Sequence, residues 1–160
     1  MTTELHVSEI TGTSEQLLSL LSKLHLSAFL PQGDAGWKAG DFRDIVEMQG
    51  VHVFVAQQGE EPIGFGVIRL VCDEAELITI AVEPQRQKCG AGAAIIKKII
   101  SFLKALKAEK FFLEVREDNK AAIKLYEANG FENIGRRAGY YQTLSGSRKD
   151  ALCFALIITQ

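Results

Sequence analysis

Proline, tryptophan and paired cysteine are scarce in this chain. Three prolines in 160 residues exclude a collagen-like rod, a mucin-like stalk or a proline-rich linker. The three cysteines, Cys72, Cys89 and Cys153, are odd in number and widely spaced, which fits neither a disulfide framework nor a CxxC metal site. A reducing compartment, the cytoplasm, is the simplest expectation. The three histidines, His6, His25 and His52, lie far apart without metal-ligand spacing, so no metal is expected. No apolar run approaches the roughly 18 residues that mark a membrane span. Met1 to Ile10 lacks the positive start and apolar stretch of a signal peptide. The expectation is a soluble, unexported protein with no membrane partner.

What is present is an ordinary globular composition: 47% hydrophobic and 24% charged residues, enough to build a core in one domain. The net charge is only −2, but it is unevenly spread. Residues 1–83 carry 4 Lys and Arg against 13 Asp and Glu, a balance of −9, and residues 84–160 carry 14 against 7, a balance of +7. Such a split suits a basic region for an anionic ligand and an acidic region for a cationic one. It does not suit a uniform nucleic-acid binder. Lys97, Lys98, Lys104 and Lys107 read as a solvated helix face and not as a nucleic-acid surface.

The patterns along the chain give a sequence of elements. Leu5, Val7 and Ile10 start a strand. Ser14 and Glu15 open a helix through Leu17, Leu18, Leu21, Leu24 and Leu26, and a loop runs from Ala28 to Gly40. Trp37, Phe42, Ile45, Val46 and Met48 predict a second helix closed by Gly50. Val51, Val53 and Val55 alternate as a strand that turns at residues 57–62 into an antiparallel partner over Ile63–Cys72. Glu76 to Val82 is almost continuously apolar and predicts a central strand covered on both faces. Ile95, Ile96, Ile99, Ile100, Leu103 and Leu106 recur at helical spacing. Phe111–Val115 is a strand, and Asn119 caps a helix that Gly130 closes. Phe131–Gly135 and Ala151–Ile158 supply the last two strands. The order β, α, α, β, β, β, α, β, α, β, β predicts a mixed sheet with helices against it.

The stretch Gln87-Lys88-Cys89-Gly90-Ala91-Gly92-Ala93 lies between the buried strand and the strongest helix. Glycines there let the backbone approach a ligand, and a helix start offers unpaired N–H groups and positive dipole to an anion. It is neither GxxxxGK[ST] nor GxGxxG. The loop resembles the Gln/Arg-x-x-Gly-x-Gly/Ala segment of the GCN5-related N-acetyltransferases (GNAT), with Gln87, Gly90 and Gly92 as the matching positions. The resemblance continues through Leu113-Glu114-Val115-Arg116, Asn119, Ala121-Ala122-Ile123, Leu125-Tyr126-Glu127, Gly130-Phe131, Arg136-Arg137 and Tyr140-Tyr141. This series is similar to the bacterial ribosomal-protein-alanine branch of the family. It covers about residues 73–158, and residues 1–72 resemble the family in the order of elements.

The resemblance implies an α/β (α+β mixed) fold: a single GNAT-like domain over residues 1–160, with a mixed, mostly antiparallel central sheet and helices on both faces. It implies acetyl-CoA as co-substrate. Ile80, Ala81 and Val82 would pair with the pantetheine arm, Gln87 and Lys88 through Cys89, Gly90, Ala91, Gly92 and Ala93 would hold the pyrophosphate, and Asn119 would meet the pantetheine end. Glu114 would be the general base and Tyr126 the general acid. An α-amine has a pKa of roughly 8 and must lose a proton before it attacks a thioester, which Glu114 can accept directly or through water. Tyr126 can return a proton to the departing sulfur.

Glu76 is a rival base, because some members of the superfamily place a catalytic Glu eleven positions before the loop Gln. It is otherwise an edge carboxylate in a hairpin or a substrate-binding group. Tyr140 and Tyr141, in the segment between the last two strands, would help clamp the acceptor. Gln142 stands where the family commonly has Pro, two extra residues precede Asp150-Ala151, and the Ala28–Trp37 region departs from the family's short Phe-Pro-Trp segment. The resemblance implies as acceptor the N-terminal α-amine of a protein, Ala or another small residue, for which a small-subunit ribosomal protein is one partner, and the altered acceptor loops motivate the alternatives. A small amine, a polyamine or a lysine side chain is the alternative, and a non-catalytic acyl-CoA-binding module is the third. Direct transfer needs no acetyl-cysteine, so Cys89 is expected to contribute only its backbone N–H.

Overall fold

The computed structural model describes residues 4–158, the side chain of Lys88 excepted. Seven strands form one mixed α/β sheet: β1 (Leu5–Ile10), β2 (Val51–Gln58), β3 (Glu61–Val71), β4 (Glu74–Val82), β5 (Lys110–Arg116), β6 (Glu132–Gln142) and β7 (Arg148–Ile157). Their order across the sheet is β1-β2-β3-β4-β5-β7-β6. All neighbours are antiparallel except β4 and β5. Helices α1 (Glu15–Phe29) and α2 (Ala39–Val46) pack on one face, and α3 (Ala91–Ala105) and α4 (Lys120–Ala128) on the other. Among the described residues no helix is long and apolar enough to cross a membrane.

Both cores follow from side-chain spacing. In α1 the buried residues Leu17, Leu18, Leu21, Leu24, His25 and Ala28 repeat every three or four positions, so one stripe meets Val53, Val55, Phe65 and Val67 of the sheet. In α3, Ile95, Ile96, Ile99 and Leu103 do the same against the opposite face, with Phe54, Ile68 and Phe111. Ser14 caps α1 by accepting the Leu17 N–H at 3.2 Å. Asn119 caps α4 by accepting the Ala122 N–H at 3.2 Å.

Several expected boundaries move. Helix α1 continues to Phe29 and ends where Pro31, which lacks an N–H, enters a short 3-10 turn at residues 30–32. Helix α2 stops at Val46 and does not include Trp37 or Met48. Gly50 does not close it: at φ 85° its missing Cβ would lie 2.3 Å from the Leu70 oxygen, and its own carbonyl accepts the Leu70 N–H at 2.8 Å. Close approach to β3, not helix termination, explains that glycine.

Strand β4 is not covered on both faces throughout, since Glu74 and Glu76 are exposed. Strand β6 runs past Gly135 to Gln142, so Tyr140 and Tyr141 lie within it and not in a segment between strands. An irregularity between Arg137 and Tyr141 absorbs extra residues while pairing resumes at Tyr141 opposite Lys149. The Asp150 carboxylate stabilises it by accepting the Gly139 N–H at 2.8 Å.

Candidate active site

The parallel strands β4 and β5 pair only from Glu74 opposite Lys110 to Glu76 opposite Phe112. Beyond that they diverge, and the gap between them is the origin of the site. In β4 the pairing with β3 slips at Ile78, which falls between Thr79 opposite Val67 and Leu77 opposite Ile68. A bulge there re-aims the residues that follow.

One cavity of about 240 Å³ lies where β4 ends and α3 begins. Ile80, Ala81, Val82, Gln87, Gly90, Gly92, Ala93 and Asn119, all predicted from sequence, line it together with Phe29 and Gln32. Residues 84–89 form a 3-10 turn, and Gly90 enters α3 at φ 88°, a left-handed conformation that favours glycine. A Cβ at Gly90 would meet nothing within 4 Å, so the backbone faces open space. No side chain caps α3, whose first turn begins with the Ala94 N–H donating to the Gly90 oxygen at 3.0 Å. The preceding N–H groups of that turn have no intrahelical acceptor and present positive dipole. At Gly92 a Cβ would lie 3.1 Å from Leu125 Cδ2, so its absence lets α4 pack close.

The side chains around this loop have separate duties. Gln87 donates its amide to the Val82 oxygen at 3.2 Å and ties the turn to the end of β4. Ala91 is fully buried in the core, and Cys89 is exposed and outside the lining. The Lys88 side chain lies outside the described residues. An apolar groove ending in a glycine turn and an uncapped helix start fits a pantetheine arm carrying a pyrophosphate.

A second cavity, of about 270 Å³, adjoins the first and shares Phe29, Gln32, Ile80 and Asn119 with it. Glu114 and Tyr126 line it together, with Tyr141, Thr79, Asp34, His25 and Trp37. Tyr126 is almost fully buried. Burial first, and Tyr141 second, push its hydroxyl well above the ordinary tyrosine range, so it is protonated at neutral pH. Burial, followed by the Glu114 charge, pushes Tyr141 up to about 12.

A third concavity of about 490 Å³ opens on the α1/α2 side of the sheet, where neither helix covers it. Glu114 lines this one too, with Glu76, Arg69, Phe112, Arg137 and Cys153. Glu114 therefore lies at the junction of the two larger spaces, whereas Glu76 belongs to the outer one alone. The Arg137 Nε is 3.0 Å from Glu114 Oε1. Tyr140 lines none of the three cavities; its ring packs edge-on against Tyr141 at 5.1 Å and lies 5.3 Å beneath the Arg137 guanidinium.

The sequence singled out the Ala28–Trp37 region only as a departure from the family pattern and assigned no role to His25 or to Arg116 in the wall that residues 25–37 form. His25 stacks on Phe29 at 4.3 Å and Trp37 at 4.7 Å, and its Nδ1 accepts the Trp37 N–H at 3.1 Å. Burial lowers its pKa to about 4, with Asp34 opposing, so it is neutral. Arg116 crosses to the same wall: its Nη1 donates to the Gln32 oxygen at 2.7 Å, and Asp118 holds it through two bonds of 2.9 and 2.8 Å. No local pattern signals the Arg116–Gln32 contact, whose partners lie 84 positions apart.

A divergent β4–β5 pair with a glycine turn and an uncapped helix start at its mouth is the frame of the site, and the comparisons with known proteins define its class as an acetyltransferase. Residues 18–131 match the model of the acetyltransferase (GNAT) family: the chain belongs to that family and is an N-acetyltransferase. Family members use acetyl-CoA. The chain is 40% identical over 106 residues, 66% of this chain and 71% of the other, to the ribosomal protein bS18-alanine N-acetyltransferase of Escherichia coli K12. It is 33% identical over 121 residues, 73% of this chain and 75% of the other, to the N-alpha-acetyltransferase RimI of Mycobacterium tuberculosis. The crystal structure of the ribosomal-protein-S18-alanine N-acetyltransferase from E. coli superposes with a TM-score of 0.86 at 30% identity, covering 98% of this chain and 96% of that one.

Proposed function

We propose that the chain, acting in the cytoplasm as one domain over residues 1–160, transfers the acetyl group of acetyl-CoA directly to a protein N-terminal α-amine. Ala is the preferred first residue, and ribosomal protein S18 is the acceptor. The observation that carries this reading is the continuity of the groove. The cavity at the α3 start shares four lining residues with the one that holds Glu114 and Tyr126, so a long cofactor lying in the first would end beside both groups. The likeness to the bS18-alanine N-acetyltransferase supports the choice of acceptor.

In this reading the backbone of Ile80, Ala81 and Val82 pairs with the pantetheine arm. The N–H groups from Lys88 to Ala93 take the pyrophosphate, Gln87 holds their turn in place, and Asn119 meets the pantetheine end. Bound there, acetyl-CoA supplies an acetyl group activated as a thioester. Glu114 removes a proton from the α-ammonium, directly or through a water, freeing the lone pair that attacks. Tyr126, kept protonated by its burial, donates a proton to the departing sulfur. Both substrates must be bound together, so Cys89 is dispensable. Glu114 is preferred over Glu76 because it alone lines both the inner and the outer cavity.

The decisive experiment is free-thiol release from acetyl-CoA with peptides beginning in Ala, Ser, Met and acetyl-blocked Ala, and with spermidine and free lysine. Release with the Ala peptide and none with its blocked form is expected. Release with small amines alone would replace the acceptor, and a tight acetyl-CoA complex silent with every amine would replace catalysis by binding. Glu114→Gln should lower turnover at least about 10²-fold with acetyl-CoA affinity kept, while Glu76→Gln stays near wild type.

A further inference from the structure

Two adjacent arginines on β6 have different partners. Arg136 Nη1 donates to Asp150 Oδ2 at 2.6 Å and to Glu117 Oε2 at 2.7 Å, and Asp150 also fastens the irregular stretch of β6 through Gly139. Arg136 thus serves the shape of the strand. Arg137, the next residue, reaches across β7 to Glu114 on β5, its Nε 3.0 Å from Oε1. The strand order β5-β7-β6 makes this reach possible, with Cys153 of β7 opposite both Glu114 and Gly135. The Arg137 guanidinium also lies over the Tyr140 ring, its carbon 5.3 Å from the ring centre, a cation–π distance.

We infer that Arg137 is a positioning residue for Glu114: it fixes Oε1 and so turns Oε2 toward the acceptor amine at the junction of the inner and outer cavities. The inference rests on the reading of Glu114 as the base. Three features of the pair support it. Both side chains line the outer cavity. The Glu114 side chain is 23% exposed and the Arg137 side chain 59% exposed, so the pair is too open to be a major contributor to folding. Yet its acidic member is the one carboxylate that faces both spaces. A free carboxylate there would rotate among orientations, only some of which meet the amine, and geometric misplacement of a catalytic group lowers the rate far more than it lowers affinity. Tyr140, expected from sequence to touch the acceptor, becomes the platform that keeps Arg137 extended.

The test is a double-mutant cycle with Arg137→Gln, Arg137→Lys and Glu114→Gln, read as kcat and KM for an Ala peptide, with enzyme raised so that the residual turnover of Glu114→Gln is measured. Arg137→Gln should lower kcat about tenfold with KM for acetyl-CoA unchanged and the thermal midpoint nearly unmoved, and Arg137→Lys should recover part of the loss. In the Glu114→Gln background the Arg137→Gln change should add nothing, because groups acting as a unit are non-additive. Multiplicative losses, or wild-type kcat in Arg137→Gln while Glu114→Gln is crippled, would overturn the positioning role alone. Wild-type turnover in Glu114→Gln would instead remove the base, and the positioning role with it. Tyr140→Leu provides a second variant, expected to show a smaller kcat loss of the same kind, and loss confined to acceptor KM would return Tyr140 to substrate contact.

Discussion

At the mouth of α3 the groove is lined by backbone and small side chains, with Gly90, Gly92 and Ala93 following one another along the chain. At the other end it is lined by rings and charges from α1, the 30–38 segment, β5, α4 and β6: His25, Trp37, Asp34, Glu114, Tyr126 and Tyr141. The floor of the first surface is local, a turn and a helix start, although Phe29, Gln32 and Leu125 close over it from other segments. The second exists only when five separate segments have been folded together. A backbone surface recognises what every acetyl donor of one kind has in common, whereas a side-chain surface is where acceptors can be told apart.

The sharpest way to divide the two ends is Tyr126→Phe, which removes one oxygen from a buried ring. It should cut kcat about 10²-fold and leave acetyl-CoA affinity, measured by calorimetry, within twofold. An equal loss of affinity would show that the two ends are not separable.

The pH dependence of stability tests the acceptor wall. Because the folded pKa of His25 is depressed to about 4 from 6.5, the unfolded chain binds its proton first as pH falls. His25 therefore makes the fold lose stability progressively from about pH 6.5 down to about pH 4, on the order of 3 kcal/mol, and costs nothing above that window. His25→Phe, which keeps the stack but cannot titrate, should flatten this part of the profile in denaturant melts at pH 7, 5.5 and 4.5. An unchanged slope would place the acid sensitivity elsewhere.

The smallest expected effect belongs to the backbone end. Gly90→Val forces a β-branched residue into φ 88°, at a cost of about 1–2 kcal/mol. We expect acetyl-CoA binding to weaken about tenfold while the His25 profile from pH 7 to 4.5 keeps its shape. Unaltered affinity would mean that the turn tolerates another conformation and is not the anion cradle.

This contrast also explains which features were legible in the sequence. The caps at Ser14 and Asn119, the stripe of α3 and the glycine turn each depend on residues within about one helical turn of one another, and the structure has them where the pattern placed them, except that Leu106 falls just past the end of α3 and is exposed. Gly50 misled because a glycine after an apolar stripe has two meanings, and only the position of β3 selects close approach over helix closure. Tyr140 and Tyr141 misled because the β6 irregularity that keeps them in the strand depends on Asp150, ten or so positions away in β7.

By itself the sequence determined the order of elements, the two apolar stripes that make two cores, and the loop able to receive an anion, since each is written in short-range spacing and backbone permissiveness. Only the tertiary structure decided that β4 and β5 part after three paired residues, that Glu114 and not Glu76 faces both cavities, and that Arg137 meets it. Those outcomes depend on strand register and side-chain reach across the sheet, where a one-residue slip would turn each of these groups to the opposite face.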